Sequence, residues 1–101
     1  MKEFLRGAVR LHILHHAVRG DIHGAWMATE LARHGHRISP GSLYPTLHAM
    51  ESEGLLTSWP QVVDGRARRT YRATAKGRRE LTKAKAQVRE LAAEILDDTG
   101  Q

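Results

Sequence analysis

From Phe4 to Arg19 apolar residues recur at helical spacing on two adjacent stripes: Phe4, Leu11, Leu14 and Val18 on one, Leu5, Val9, Ile13 and Ala17 on the other. A helix apolar over so much of its circumference must be covered from two sides, and in so short a chain one cover is expected to be a partner subunit. Gly20 and Asp21 end this helix. Met27, Ala28 and Leu31 then predict a second helix from about His23 to His34, with Gly35 as its stop. Ser39-Pro40 marks the start of a third, because serine can cap free N–H groups and proline fits the first helical position. That helix is expected to run to Glu53, with Leu43, Leu47 and Met50 on its buried face and a polar, solvent-facing start made by Ser42, Tyr44, Thr46 and His48. Pro45 has no N–H for the Gly41 carbonyl, so the first turn should be bent or open.

Asp64-Gly65 is the residue pair of a two-residue type I′ turn, and its flanks, Leu56 to Val63 and Arg66 to Ala73, read as the strands of a hairpin. The register sets Val63 against Arg66 and Leu56 against Ala73. Tyr71 and Ala73 then share the inward face and Arg66, Arg68 and Arg72 the other, with Arg69 alternating inward unless the ribbon twists. Pro60 restricts its strand to an edge. Thr74 can cap a last helix in which Leu81, Ala84, Val88, Leu91 and Ile95 follow one another at three- and four-residue steps, a heptad seam. Such a helix, roughly 23 residues, is about 35 Å long, more than the small body of the domain can cover, so the seam is expected to bury against a second copy. From Asp97 the chain is expected to fray.

Composition narrows the picture. In 101 residues with 41% hydrophobic content and 5% aromatic, one core filled by Leu, Val, Ile and Ala is expected, with little room for an enzyme cleft. With no cysteine there is no disulfide framework, no Cys-ligated zinc and no thiol nucleophile. No signal-peptide core and no bilayer-spanning stretch is evident, so a cytoplasmic protein with no membrane partner is expected. The net charge of +5 gains meaning from its focus: Arg66, Arg68, Arg69, Arg72, Lys76, Arg78 and Arg79 fall between Gly65 and Arg79 without one acidic residue.

The fold class is therefore mainly α with a small β-hairpin: a winged helix-turn-helix over residues 1–73 and a long C-terminal dimerisation helix over 74–101, both in one structural unit. The sequence also resembles the PadR family of bacterial regulators. The resemblance rests on His23-Gly24, on Gly41-Ser42-Leu43-Tyr44-Pro45-Thr46-Leu47, on Glu51-Ser52-Glu53-Gly54-Leu55-Leu56, and on Arg69-Thr70-Tyr71-Arg72-Ala73-Thr74 followed by Gly77. It covers nearly the whole chain and matches the short form with a single C-terminal helix. It implies a homodimer that binds a palindromic operator in double-stranded DNA, usually as a repressor, with the last helix crossing onto the partner's first helix. By motif position Ser42, Tyr44, Thr46 and His48 would meet the operator, with Arg66, Arg68 and Arg69 on the wing. Two departures stand out: Ala25 occupies a position commonly tyrosine in the family, and the last helix has no aromatic residue, which argues against an aromatic-drug pocket there.

Seven histidines is a high count for this length. His12 and His16, four residues apart, project from one helix face and could grip a divalent ion, with His15 about 60° to the side. Further ligands would come from His15, Glu3, or a carboxylate of the partner's last helix such as Glu90, Glu94 or Asp97. Imidazole with carboxylate suits zinc, nickel, copper or cadmium better than magnesium, and such an ion, or a small ligand at the interface, would be an effector and not a required cofactor. The alternative is that His12 and His16 line the subunit interface without metal. His34 and His36, flanking Gly35, read as a helix C-terminal cap exposed to solvent. Catalysis is not expected, because Ser39 and Ser42 already serve a cap and a helix start and no third group orients a histidine toward either. The competing function is a protein-interaction module whose heptad helix docks a partner without specific DNA binding.

Overall fold

The computed structural model describes residues 1–97, and the fraying expected beyond Asp97 lies outside the described residues. Its elements in chain order are α1 (Lys2–Arg19), β1 (Ile22–His23), α2 (Gly24–Arg33), α3 (Pro40–Ser52), β2 (Leu56–Val63), β3 (Arg66–Ala73) and α4 (Ala75–Ile95). The apolar stripes meet in one core. Ile13, Leu14 and Ala17 come from α1, Met27 and Leu31 from α2, Leu43, Leu47 and Met50 from α3, Leu56, Tyr71 and Ala73 from the sheet, and Leu81 from α4. Each fully buried Leu, Ile or Met side chain contributes about 1.5–3 kcal/mol through water exclusion.

The hairpin has the expected register, Val63 opposite Arg66 and Leu56 opposite Ala73. Asp64 and Gly65 both have positive φ, 51° and 75°, as a type I′ turn demands. It is not a two-stranded ribbon, however. Ile22 and His23 add a short antiparallel strand against Tyr71 and Thr70, giving the order β1-β3-β2. Two residues after a helix carry too little periodicity to announce a strand. Pro60 sits on β2, an edge strand, where its missing N–H is harmless.

Side-chain bonds join the sheet to its helices. Thr74 caps α4 by accepting from the Gly77 N–H at 3.0 Å, while its own N–H donates to the Leu55 carbonyl at 3.1 Å. Arg10 of α1 pairs with Glu53 at the end of α3. The Lys76 ammonium donates to the Glu53 carbonyl at 2.7 Å. These contacts fix α3 and the base of the hairpin against α1 and α4. No helix among the described residues is long and apolar enough to cross a membrane.

Candidate nucleic-acid interface

The outer side of α3 has the polar start its sequence announces. Ser42, Tyr44 and His48 are exposed and Thr46 half-buried, while Leu43 and Leu47 alternate into the core. Two local details differ from expectation. Ser39 occupies the N-cap position without a side-chain cap bond, and its hydroxyl reaches Ser42 Oγ at 3.4 Å instead. The Thr46 hydroxyl donates to the Ser42 carbonyl at 2.8 Å, spending its proton on the helix. Tyr44 is 43% exposed, with its ring lying over Gly24 at the start of α2.

The arginines of β3 have different tasks. Arg66 and Arg68 are exposed beside the turn and form no ion pair among the described residues. Arg69 is exposed too, but its Nε donates to Ser58 Oγ at 2.9 Å, and Ser58 donates to Glu51 on α3 at 2.7 Å. It thus links the wing to the end of α3. Arg72 binds Asp21 and lies over the Trp59 ring, 4.9 Å from its centroid. That hydrogen bond and the opposite charge raise the Arg72 pKa further and hold the Asp21 carboxyl below the usual carboxylate range. The free cationic charge of the wing is accordingly concentrated at its tip.

The histidine cluster is larger than the trio on α1. His12 stacks with His16 at 5.8 Å between ring centroids, but its nearest ring is His34 at 4.7 Å, with His36 edge-on at 5.6 Å. His34 and His36 are therefore not simply a solvated cap, as expected, because Gly35 turns the chain back toward α1. His15 contacts His16 at 4.9 Å. Glu30 of α2, buried and unforeseen in sequence, accepts from Arg33 at 2.7 Å and stands 3.3 Å from both His16 Nε2 and His34 Nε2. Burial pushes the Glu30 carboxyl up, but the Arg33 bond and charge, the His34 bond and His16 outweigh it, leaving it below its ordinary value. Burial and then the neighbouring imidazoles hold His12 low; for His15, burial acts with His16, Arg19 and Lys85. Among the described residues no three such groups already converge as ligands of one ion.

The heptad seam divides. Leu81 is 6% exposed, packed inside its own chain, and Ala84 is half-buried. Val88, Leu91 and Ile95 remain 50%, 47% and 65% exposed, and Phe4 on α1 is 55% exposed. Between α1 and α4 lies an apolar groove of about 820 Å³, bordered by Phe4, Leu11, Val88, Leu91 and also His12 and His15.

Helix, helix, recognition-type helix, wing and terminal helix here share their arrangement with known regulators. A family model described as the transcriptional regulator PadR-like family matches residues 13–83. The chain belongs to this PadR-like family. Transcriptional regulator Rv3488 of Mycobacterium tuberculosis is 62% identical over 96 residues, covering 95% of this chain and 90% of that protein. A PadR family transcriptional regulator from Eggerthella lenta superposes with a TM-score of 0.79 at 31% identity, covering 96% of this chain and 88% of the other. Bacillus subtilis PadR, solved in complex with operator DNA, superposes with a TM-score of 0.68 at 19% identity over 75% of this chain and 45% of its own; that likeness establishes the winged fold alone. As a PadR-like protein the chain is a transcriptional regulator and not an enzyme.

Proposed function

We propose that this PadR-like regulator acts as a homodimeric repressor on a palindromic operator. Ser42, Tyr44, Thr46 and His48 would face the DNA from α3, and Arg66 and Arg68 would contact phosphates from the wing tip. The observation that carries this reading is the exposed polar start of α3 beside two wing arginines that form no ion pair among the described residues, a helix and a cationic loop fit for groove and backbone. The operator complex of Bacillus subtilis PadR supports it by fold. Arg69, tied to Ser58, is left to set the wing against α3 and to offer its remaining N–H groups. Val88, Leu91 and Ile95, exposed in one chain, would close against a second copy, whose own apolar helices match the groove. The test is to select duplexes from a randomised pool with the purified protein, then measure affinity against salt. Selection of an inverted repeat bound by a dimer is expected; failure to enrich any duplex would leave the interaction-module reading in its place.

A regulatory reading has its own support. His12, His15 and His36 border the same groove that a second copy would cover. A zinc, nickel, copper or cadmium ion held by His12 with His16, His15 or the closer His34 would alter the crossing of two subunits and hence the spacing of their α3 helices. Ring rotation, or a carboxylate supplied by the second copy, would complete the ligand set. Calorimetry with each ion on the wild type and on His12→Ala/His16→Ala decides it, since equal heats would make the cluster interface packing only.

A further inference from the structure

Tyr44 lies on the face assigned to DNA, yet its ring is seated against another helix. A Cβ built on Gly24, the first residue of α2, would stand 2.6 Å from the ring Cε1, 2.7 Å from the hydroxyl oxygen and 2.8 Å from Cζ. No side chain fits there while the ring stays. The backbone offers no other reason for glycine, because Gly24 lacks the positive φ of Gly35, Gly54 and Gly65. Glycine loses more backbone freedom on folding than alanine, by up to about 1 kcal/mol in a helix interior and less at a first helical position. The absent side chain at position 24 is thus explained by the ring of Tyr44.

What an added methyl would do depends on what it strikes. At Gly77 the obstacle is backbone, the Leu55 carbonyl oxygen 2.2 Å from a built Cβ, and it cannot yield without moving the junction of α3 and β2. At Gly24 the obstacle is the far end of a 43% exposed side chain, which can give way without any movement of backbone. The fold can survive the change and the position of the ring cannot.

We propose that Gly24 is a positioning residue for operator binding: its bare Cα is the seat that holds the Tyr44 ring against α2 and so fixes where the Tyr44 hydroxyl meets DNA. The inference rests on the proposed role of Tyr44 at the operator. It makes stability and binding move independently, which a residue serving only the fold would not do.

The experiment uses the full chain as wild type, Gly24→Ala, Tyr44→Ala and the double variant. Thermal unfolding of each is measured, along with affinity by fluorescence anisotropy for a duplex the wild type selects from a randomised pool. Tyr44→Ala should weaken binding about tenfold, the worth of one hydrogen bond to a charged group. Gly24→Ala should keep or raise the unfolding temperature and lose affinity by a comparable factor. The double variant should bind like Tyr44→Ala alone, because a ring already removed cannot be misplaced. Wild-type affinity for Gly24→Ala with weak binding by Tyr44→Ala overturns the seat and leaves Tyr44 at the operator. Losses that multiply in the double variant overturn it as well, as does a lowered unfolding temperature for Gly24→Ala. Wild-type affinity for Tyr44→Ala removes Tyr44 from the interface, and the seat with it.

Discussion

Arg72 grips Asp21 with two parallel hydrogen bonds, Nε to Oδ1 at 2.9 Å and Nη2 to Oδ2 at 3.1 Å, joining the turn after α1 to the middle strand of the sheet. Fork-to-fork geometry of this kind is specific and commits the guanidinium to the protein. One arginine of the basic segment is thereby withdrawn from any partner, although nothing in its local sequence separates it from Arg66 or Arg68.

Acid should release that pair. The Asp21 carboxyl titrates below its usual range, chiefly through the Arg72 hydrogen bond, which with the Arg72 charge outweighs the opposing desolvation. A depressed folded value means stabilisation that is complete above the unfolded aspartate pKa, about 3.9, and lost as pH falls through the folded one. Asp21→Asn should therefore unfold at lower temperature than wild type at pH 7, with the gap closing toward about pH 3. Circular-dichroism melts at both pH values check this; a gap of equal size at both would mean the charge on Asp21 is immaterial.

Salt dependence should sort the wing arginines. Each phosphate contact contributes a slope of about 0.9 in log affinity against log salt. Arg66→Gln and Arg68→Gln should each flatten the slope by about that amount and weaken all duplexes alike. Arg72→Gln should leave the slope at the wild-type value, since its charge is neutralised within the protein by Asp21. A slope change for Arg72→Gln equal to that for Arg66→Gln would place Arg72 on the DNA instead.

Gly77 calls for a stability test without DNA. A Cβ there would lie 2.2 Å from the Leu55 carbonyl oxygen and 3.4 Å from Leu14 Cδ2, where α4 passes the base of the hairpin. Gly77→Ala should cost about 3 kcal/mol or more, overpacking against an obstacle that is mostly backbone. Denaturant unfolding reads this directly, and a loss under about 0.5 kcal/mol would mean that the α3–β2 junction shifts freely.

Sequence periodicity located all four helices and the hairpin register, because burial forces a 3.6-residue repeat on a helix and Asp64-Gly65 leaves the turn little choice of type. What it missed are relationships across the chain. Gly35 carries His34 and His36 back onto His12, and Glu30 is buried beside them; no spacing rule links residues on separate helices. Likewise Leu81 and Leu91 both lie on the heptad seam, yet one is core and the other half exposed. What separates them is the groove between α1 and α4, open from Phe4 and Leu11 to Val88 and Ile95, and that opening is a property of packing.

Those two leucines make the sharpest test of the assembly. Leu81 is 6% exposed inside its own chain, so Leu81→Arg places an unpaired charge in the core and should unfold the protein. Leu91 is 47% exposed in one chain and faces the groove between α1 and α4, so a single chain can tolerate Leu91→Arg. In a two-fold dimer every contact occurs twice, and each substitution therefore places two charges in one interface. With about 2 kcal/mol of burial lost at each copy and a desolvated guanidinium added, dimerisation should weaken by several orders of magnitude. Light scattering should give half the wild-type mass with the helical circular-dichroism signal retained. Operator affinity should fall with it, because two α3 helices reach half-sites about 34 Å apart only when the subunits are held together. A folded Leu91→Arg protein with unchanged mass would remove α4 from the interface, and the groove beside His12 would then be open to a different occupant.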